Sequence, residues 1–296
     1  MQFQPFFNKY IKKYIKTTIV LIVILAALII IKDEIAWQLD PYAYEEDMYG
    51  DDMYDDDSAY EDEYCNVIGI ELHGDLSTYI PPSDSDDDGA PLNDQTASEN
   101  IVLSIQDAEN DYDIKAIILE VDSYGGYPVA AEEVANALKE STKPTVALIR
   151  EGGASAAYWA ATGADIIFAS KNSDVGSIAV TASYLDYTKQ NQQEGITYVP
   201  LSSGKFKDSG DPDKTLSWEE RNLFMRDVNI LHQNFINIVA ENRNLEISEV
   251  EKLADGSTML GGMALENGLI DQIGGMSEVK EYLKEKIGQD VEVCWY

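Results

Sequence analysis

The run from Lys115 to Val121 (KAIILEV) is almost unbroken apolar sequence. The glycine-rich DSYGGYP follows it, and Val129 to Glu140 then places apolar residues at helical spacing. This strand, turn and helix succession constrains the fold more than any other feature, because it recurs. Asn66 to Leu72 (NVIGIEL) reads as an earlier strand that ends at the turn-like His73 and Gly74, and a helix is expected from Ser98 to Asn110. PTVALIR reads as a third strand, Ser155 to Thr162 as a buried helix rich in alanine and aromatics, and Ile166 to Ala169 as a return to strand. Such alternation is the mark of right-handed crossovers in a parallel or mixed sheet, whose functional loops gather at the carboxyl ends of the strands. The C-terminal third reads as helical. A capping box, Ser217 to Glu220, precedes apolar residues at Phe224, Val228, Leu231, Phe235 and Ile238. A second box, Ser248 to Glu251, opens a short helix that Asp255 and Gly256 end, and Ser277 is expected to cap a helix running toward Lys286.

Ahead of this region, residues 17–32 read as one transmembrane anchor. Thr17 to Ile31 carries no charge, and Lys16 and Lys32 can snorkel to lengthen the span. Lys32, Asp33 and Glu34 follow the run in place of a small-residue cleavage site, which argues against a removed signal peptide. Lys9, Lys12, Lys13 and Lys16 precede it, so the positive-inside rule puts residues 1–16 in the cytoplasm and the rest outside the cell membrane. Residues 33–64 interleave acids with tyrosines; like charges at that density repel and bury no core, so the segment reads as a disordered spacer. It lacks the twelve-residue loop with regular ligand spacing that specific calcium binding would need. A second acidic stretch, Pro81 to Asp94, reads as an exposed loop, and residues 65–296 form the folded domain.

The net charge of -33 excludes a nucleic-acid partner, since a polyphosphate is bound through lysine and arginine that release its counterions. The hydrophobic fraction of 45% is ample for a core. Cys65 and Cys294 lie too far apart in sequence for a zinc or redox motif; they can form one disulfide that clips the domain's ends together, or remain two thiols.

Unusual residues gather at three junctions. Gly125 and Gly126 follow the apolar strand that ends at Val121, where glycine permits conformations other residues avoid; the plain reading of the pair is a tight turn. In EGGASAAYWAA, Ser155 follows Gly152 and Gly153 at the start of an apolar helix; it is either a helix cap or a nucleophile whose oxyanion would be held by the backbone N–H groups of Ala156 and Gly126. A hydroxyl nucleophile needs a base, and neither histidine lies in a triad motif: His73 reads as a loop residue, and His232 as a helix-surface or interhelix residue. Lysine can serve if burial lowers its pKa from about 10.4 toward neutrality. SSGKFKDSGDP supplies Lys205 and Lys207, although an exposed lysine is ordinarily only a solvated charge.

Taken together, these segments resemble the signal peptide peptidase A family of Ser-Lys peptidases, over Ile68 to about Ile287. DSYGGYP is similar to the family's Asn-Ser-Pro-Gly-Gly loop, GGASAAYWAATGAD to the stretch around its nucleophile, SGKFKD to the stretch around its base, and GSIAV, from Gly176, to its Gly-Ser-Ile-Gly-Val segment. ADGSTMLGGMALENGLIDQIGG also resembles a family segment. The resemblance implies a Clp-protease/crotonase-like repeated ββα spiral with a helical C-terminal region. It assigns Ser155 as nucleophile, Lys207 as base, Ser177 as the hydroxyl that orients the lysine, and Gly126 and Ala156 as oxyanion donors, with no cofactor or metal. It further implies peptide substrates, remnant signal peptides and other hydrophobic or unfolded chains, and a homo-oligomeric ring in which one subunit's serine meets its neighbour's lysine. Tyr124 stands where the family usually has proline, and Ala156-Ala157 where it usually has two glycines; both are expected to alter pocket shape more than chemistry. Two rivals are a catalytically silent scaffold or binding module on the same fold, and an acyl-CoA enzyme of the crotonase type.

Overall fold

The computed structural model describes residues 65–81 and 94–295. The anchor expected at 17–32 and the spacer expected at 33–64 lie outside the described residues, as does most of the acidic loop between Pro81 and Asp94. Among the described residues no helix is long and apolar enough to cross a membrane.

A parallel sheet forms the centre of the molecule. Its order is β2 (Gln95–Ala97), β1 (Val67–Ser77), β3 (Ala116–Gly126), β4 (Thr145–Ala154), β5 (Ile166–Ala169) and β8 (Gln272–Ile273). Helices α1 (Ser98–Asn110), α2 (Pro128–Glu140) and α3 (Ala156–Ala161) connect successive strands as crossovers, so the alternation legible in the sequence is realised. A small second layer leaves this sheet at the end of β4, where Gly152 to Ala154 pair with β6 (Asp174–Gly176). β6 in turn pairs antiparallel with β7 (Thr258–Leu260).

Alternation along the central strands sorts their side chains. Ile117, Leu119 and Val121 of β3 face α1, α2 and α3, together with Ile70 and Leu72 of β1 and Ile149 of β4. Ala116 and Ile118, with Val67, Val146 and Leu148, face the other way, onto Val279 and Leu283 of α8 (Met276–Ile287). Both faces are therefore buried, which explains why β3 is nearly continuously apolar rather than alternating.

The remaining helices are α4 (Thr188–Glu194), α5 (Trp218–Arg243), α6 (Ile247–Leu253) and α7 (Gly261–Glu266). The capping box at the start of α5 is present: Glu220 N–H donates to Ser217 Oγ at 3.2 Å, and Ser217 N–H donates to Glu220 Oε2 at 2.8 Å. Two other expected caps are corrected. Ser248 lies inside α6, which Glu246 precedes without a side-chain cap, and the helix stops at Leu253 before Asp255 is reached. Ser277 lies inside α8, where Glu278 reaches back to accept the Gly275 N–H at 2.7 Å. At the edge of the sheet β9 (Val293–Trp295) runs parallel to the start of β1, and Cys65 is disulfide-bonded to Cys294 with Cα atoms 5.7 Å apart. The disulfide, one of two outcomes left open by the sequence, thus joins both ends of the described domain.

Candidate active site

Ser155 stands between the last residue of β4 and the first of α3, with φ 53 and ψ -126. Few non-glycine residues occupy such a conformation, and it persists only where surrounding contacts impose it. Here Ser155 N–H donates to Gly176 O at 2.8 Å, which fixes the serine to β6, and its own carbonyl accepts from Trp159 N–H at 3.0 Å inside α3. A strand that must pair with β6 and then turn at once into a buried helix leaves the intervening residue little other choice. Ser155 is the residue at the N-cap position of α3, yet its side chain makes no capping bond, so the plain N-cap reading lacks the bond that defines it.

Of the two glycines at the end of β3, Gly125 lies against this turn and Gly126 against β1. Gly125 has φ 142, and a Cβ there would stand 3.1 Å from Ser155 Cβ and 3.3 Å from its Oγ. Gly126 has φ 149, and a Cβ there would fall 2.0 Å from Leu76 O, so no side chain fits. Tyr127 N–H donates to that same carbonyl at 2.8 Å, which pins the loop to β1.

Ser155, Gly126, Ala156 and Ser177 line one cleft of about 480 Å³. Its apolar wall includes Trp159 and Phe235, whose rings stack with centroids 5.1 Å apart, together with Val180 and Leu231. Four of the five residues assigned from sequence thus come together. Ser177 also has positive φ, 51; its Oγ donates to Gly256 O at 3.0 Å and its N–H to Ser257 O at 3.0 Å. Asp255-Gly256-Ser257 therefore holds Ser177 in place, and Gly256 itself lines the cleft. This role was missed in the sequence, although the segment's resemblance had marked it.

Lys207 is placed differently. It lies exposed on a turn, where its N–H donates to Gly204 O at 3.1 Å, and it is not among the residues lining the cleft. Lys205 is paired with Glu219 at 2.7 Å. Neither histidine lines the cleft: His232 Nε2 is 3.2 Å from Ile178 O, and His73, expected in a loop, lies within β1, which runs past the predicted turn to Ser77. Of the two departures expected to reshape the pocket, Ala156 does line it, whereas Tyr124 lies against Gly152 outside it and Ala157 is wholly buried in the core.

The chemistry this arrangement permits is nucleophilic. A hydroxyl without a capping bond opens on a cleft that Gly126 and Ala156 also line.

Residues 137–290 match the model of peptidase family S49. Among curated relatives, the chain is 33% identical over 202 residues to a putative signal peptide peptidase SppA of Enterococcus faecium, covering 67% of this chain and 59% of that one. It is 33% identical over 183 residues to a putative protease of Methanocaldococcus jannaschii, covering 61% and 59% respectively. To protease 4 of Haemophilus influenzae it is 27% identical over 220 residues, covering 71% and 35%. The chain thus spans less than two thirds of the length of these relatives. Among solved structures it is similar to a membrane-bound stomatin-specific protease variant, with a TM-score of 0.48, 14% identity, and coverage of 78% of this chain and 97% of that one.

Proposed function

This chain belongs to peptidase family S49, and from that premise we propose that it is a membrane-anchored serine endopeptidase with a Ser-Lys dyad. The observation that carries the reading is Ser155 itself, held at φ 53 beside Gly125, its Oγ free of any capping bond at the mouth of a cleft. Lys207, acting as the neutral amine that burial between subunits would favour, takes the Ser155 proton as Oγ bonds to the scissile carbonyl carbon. The oxyanion that forms is met by the N–H groups of Gly126 and Ala156. As the tetrahedral intermediate collapses, the C–N bond breaks and the proton passes to the leaving amine. Water, activated by the same lysine, then hydrolyses the ester. Ser177 orients the lysine, and no cofactor takes part. The apolar wall of Trp159, Phe235, Leu231 and Val180 supports substrates of hydrophobic character, such as remnant signal peptides and unfolded chains left at the membrane. The disulfide supports a domain on the extracytoplasmic, oxidising side.

Lys207 comes, in this reading, from a neighbouring copy in a homo-oligomeric ring of Clp-protease/crotonase-like subunits. Its exposure away from the cleft supports that assignment. So does the exposure of Val199 and Leu201, 69% and 95%, on the irregular segment that leads to Lys207, apolar side chains suited to a partner.

Mixing the purified variants Ser155→Ala and Lys207→Ala tests mechanism and assembly together. Each alone should lose peptide cleavage by roughly a thousandfold or more. Co-assembled at random in equal amounts, they should regain about a quarter of wild-type activity, because some interfaces then join an intact serine to an intact lysine. A fluorophosphonate probe should label wild-type protein at Ser155. Absence of labelling and of cleavage would favour the silent scaffold; recovery that fails on mixing would place the lysine in the same subunit.

A further inference from the structure

The sheet face turned away from α3 changes character along its length. Under α8 it is apolar, through Ala116, Ile118, Val146 and Leu148. Two residues further along the same strands it carries Glu120, Glu71, His73 and Arg150. Glu71 and Glu120 stand opposite each other in the β1 and β3 ladder, and Glu120 lies beside Leu148 of β4.

The Glu120 carboxylate is only 10% exposed and its two oxygens are used unequally. Oε2 accepts from Arg150 Nη1 at 2.6 Å, while Oε1 stands 3.4 Å from His73 Nε2. His73 Nδ1 is 3.8 Å from Glu71 Oε2. One potential ligand atom from each of Glu71, His73 and Glu120 lies within 4.8 Å of the others, the one such group among the described residues.

The spacing discriminates between two accounts of this cluster. A charge-assisted N–H to carboxylate hydrogen bond is about 2.7–2.9 Å long, so 3.4 Å is too wide for one. Two ligands that share a tetrahedral zinc ion, each about 2.0–2.1 Å from the metal, stand roughly 3.3 Å apart, which the His73 and Glu120 atoms match. An ion held by His73 Nε2 and Glu120 needs Glu71 to leave the other ring nitrogen, which it now faces, and its exposure leaves it room to change rotamer and do so. The surroundings also suit a metal. Arg150 holds the second oxygen of Glu120, as outer-sphere partners commonly do for ligating carboxylates. The backbone of His73 is fixed from both sides by Thr96, whose Oγ1 accepts from His73 N–H at 3.0 Å and donates to His73 O at 2.7 Å. An imidazole with two carboxylates is a donor set for zinc or a related transition metal rather than for calcium, which takes oxygen alone.

We propose that Glu71, His73 and Glu120 bind a divalent transition-metal ion, zinc by their ligand chemistry, on the face of the sheet opposite the Ser155 cleft. The ion ties β1 to β3 immediately before the irregularity between His73 and Asp75, beyond which Asp75 and Leu76 pair with Gly125 and Gly126. Binding there stiffens the two strands that carry the glycine loop, without entering the chemistry.

Zinc titration of the purified full chain, followed by calorimetry, tests this independently of any peptidase activity. Wild-type protein should form a 1:1 zinc complex, and His73→Ala should weaken it at least tenfold. Cobalt, as a spectroscopic stand-in, should give visible ligand-field bands with the wild type and none with His73→Ala, whose fold is checked by circular dichroism because the residue it removes is partly exposed. Glu71→Gln, a second variant outside the core, should also weaken zinc, by less than His73→Ala. Zinc affinity that His73→Ala lowers less than tenfold would assign the binding to the acidic surface at large and overturn the site, as would cobalt bands that persist without the imidazole.

Discussion

The conformation of Ser155 stores roughly 1–3 kcal/mol of backbone strain, which its bonds to Gly176 and Trp159 offset. Gly125 makes that conformation usable by leaving the hydroxyl room. Gly125→Ala would place a methyl about 3.1 Å from Ser155 Cβ, at a φ of 142 that an L residue resists. We expect the variant to unfold at a free energy lower by about 1–3 kcal/mol and to lose peptide cleavage by at least tenfold. Denaturant melts and kinetics measure both, and wild-type cleavage by Gly125→Ala would refute the packing account of this glycine. Ser155, Ser177, Gly126 and Ala156 were marked in the sequence through its family resemblance, since Ser155 by itself reads equally as a helix cap, and the structure brings all four to one cleft. The part played by Gly256 was not, since a carbonyl that holds Ser177 from 79 residues away leaves no trace in local sequence.

Helix α5 shows the same division at the level of an element. Its start was legible: Ser217 and Glu220 cap each other, and Lys214 adds an ion pair to Glu220 at 2.5 Å. The Lys214 ammonium, followed by the Ser217 backbone and hydroxyl, holds the Glu220 carboxyl down to about 2, against an ordinary 4.5. A carboxyl depressed on folding gives stability that is complete above its unfolded value and is lost as pH falls from about 4.5 toward 2. Glu220→Gln should therefore melt below the wild type near neutrality, and the two melting temperatures should converge as pH falls through that window. A difference that stays constant down to pH 2 would show that the ionised carboxylate is not its source. The caps expected of Ser248 and Ser277 failed for a physical reason: a serine near a helix start, even one three residues before a glutamate as Ser248 is, describes many positions, and packing of Val250 and of Val279 with Leu283 against the core decides where each helix begins.

Across the whole molecule, the Cys65–Cys294 disulfide closes a separation of 229 residues. On the chain-entropy account, a loop of that length is worth about 5.5 kcal/mol at most through its restriction of the unfolded chain. Replacing both cysteines with alanine should lower unfolding free energy by about 3–5 kcal/mol in chemical denaturation, and a loss under 1 kcal/mol would show that β9 is held chiefly by its pairing with β1. Sequence determined the alternation of strand and helix and the nearly unbroken apolar run of β3, because each is written in neighbouring residues at fixed spacing, and it marked the residues of the site through short segments that resemble a family. Tertiary structure alone decided that the two cysteines meet, that Ser177 is held by Gly256, that Tyr124 lies outside the cleft, and that His73 faces Glu120. Those facts depend on which distant strands pair and in what register, and local sequence fixes neither.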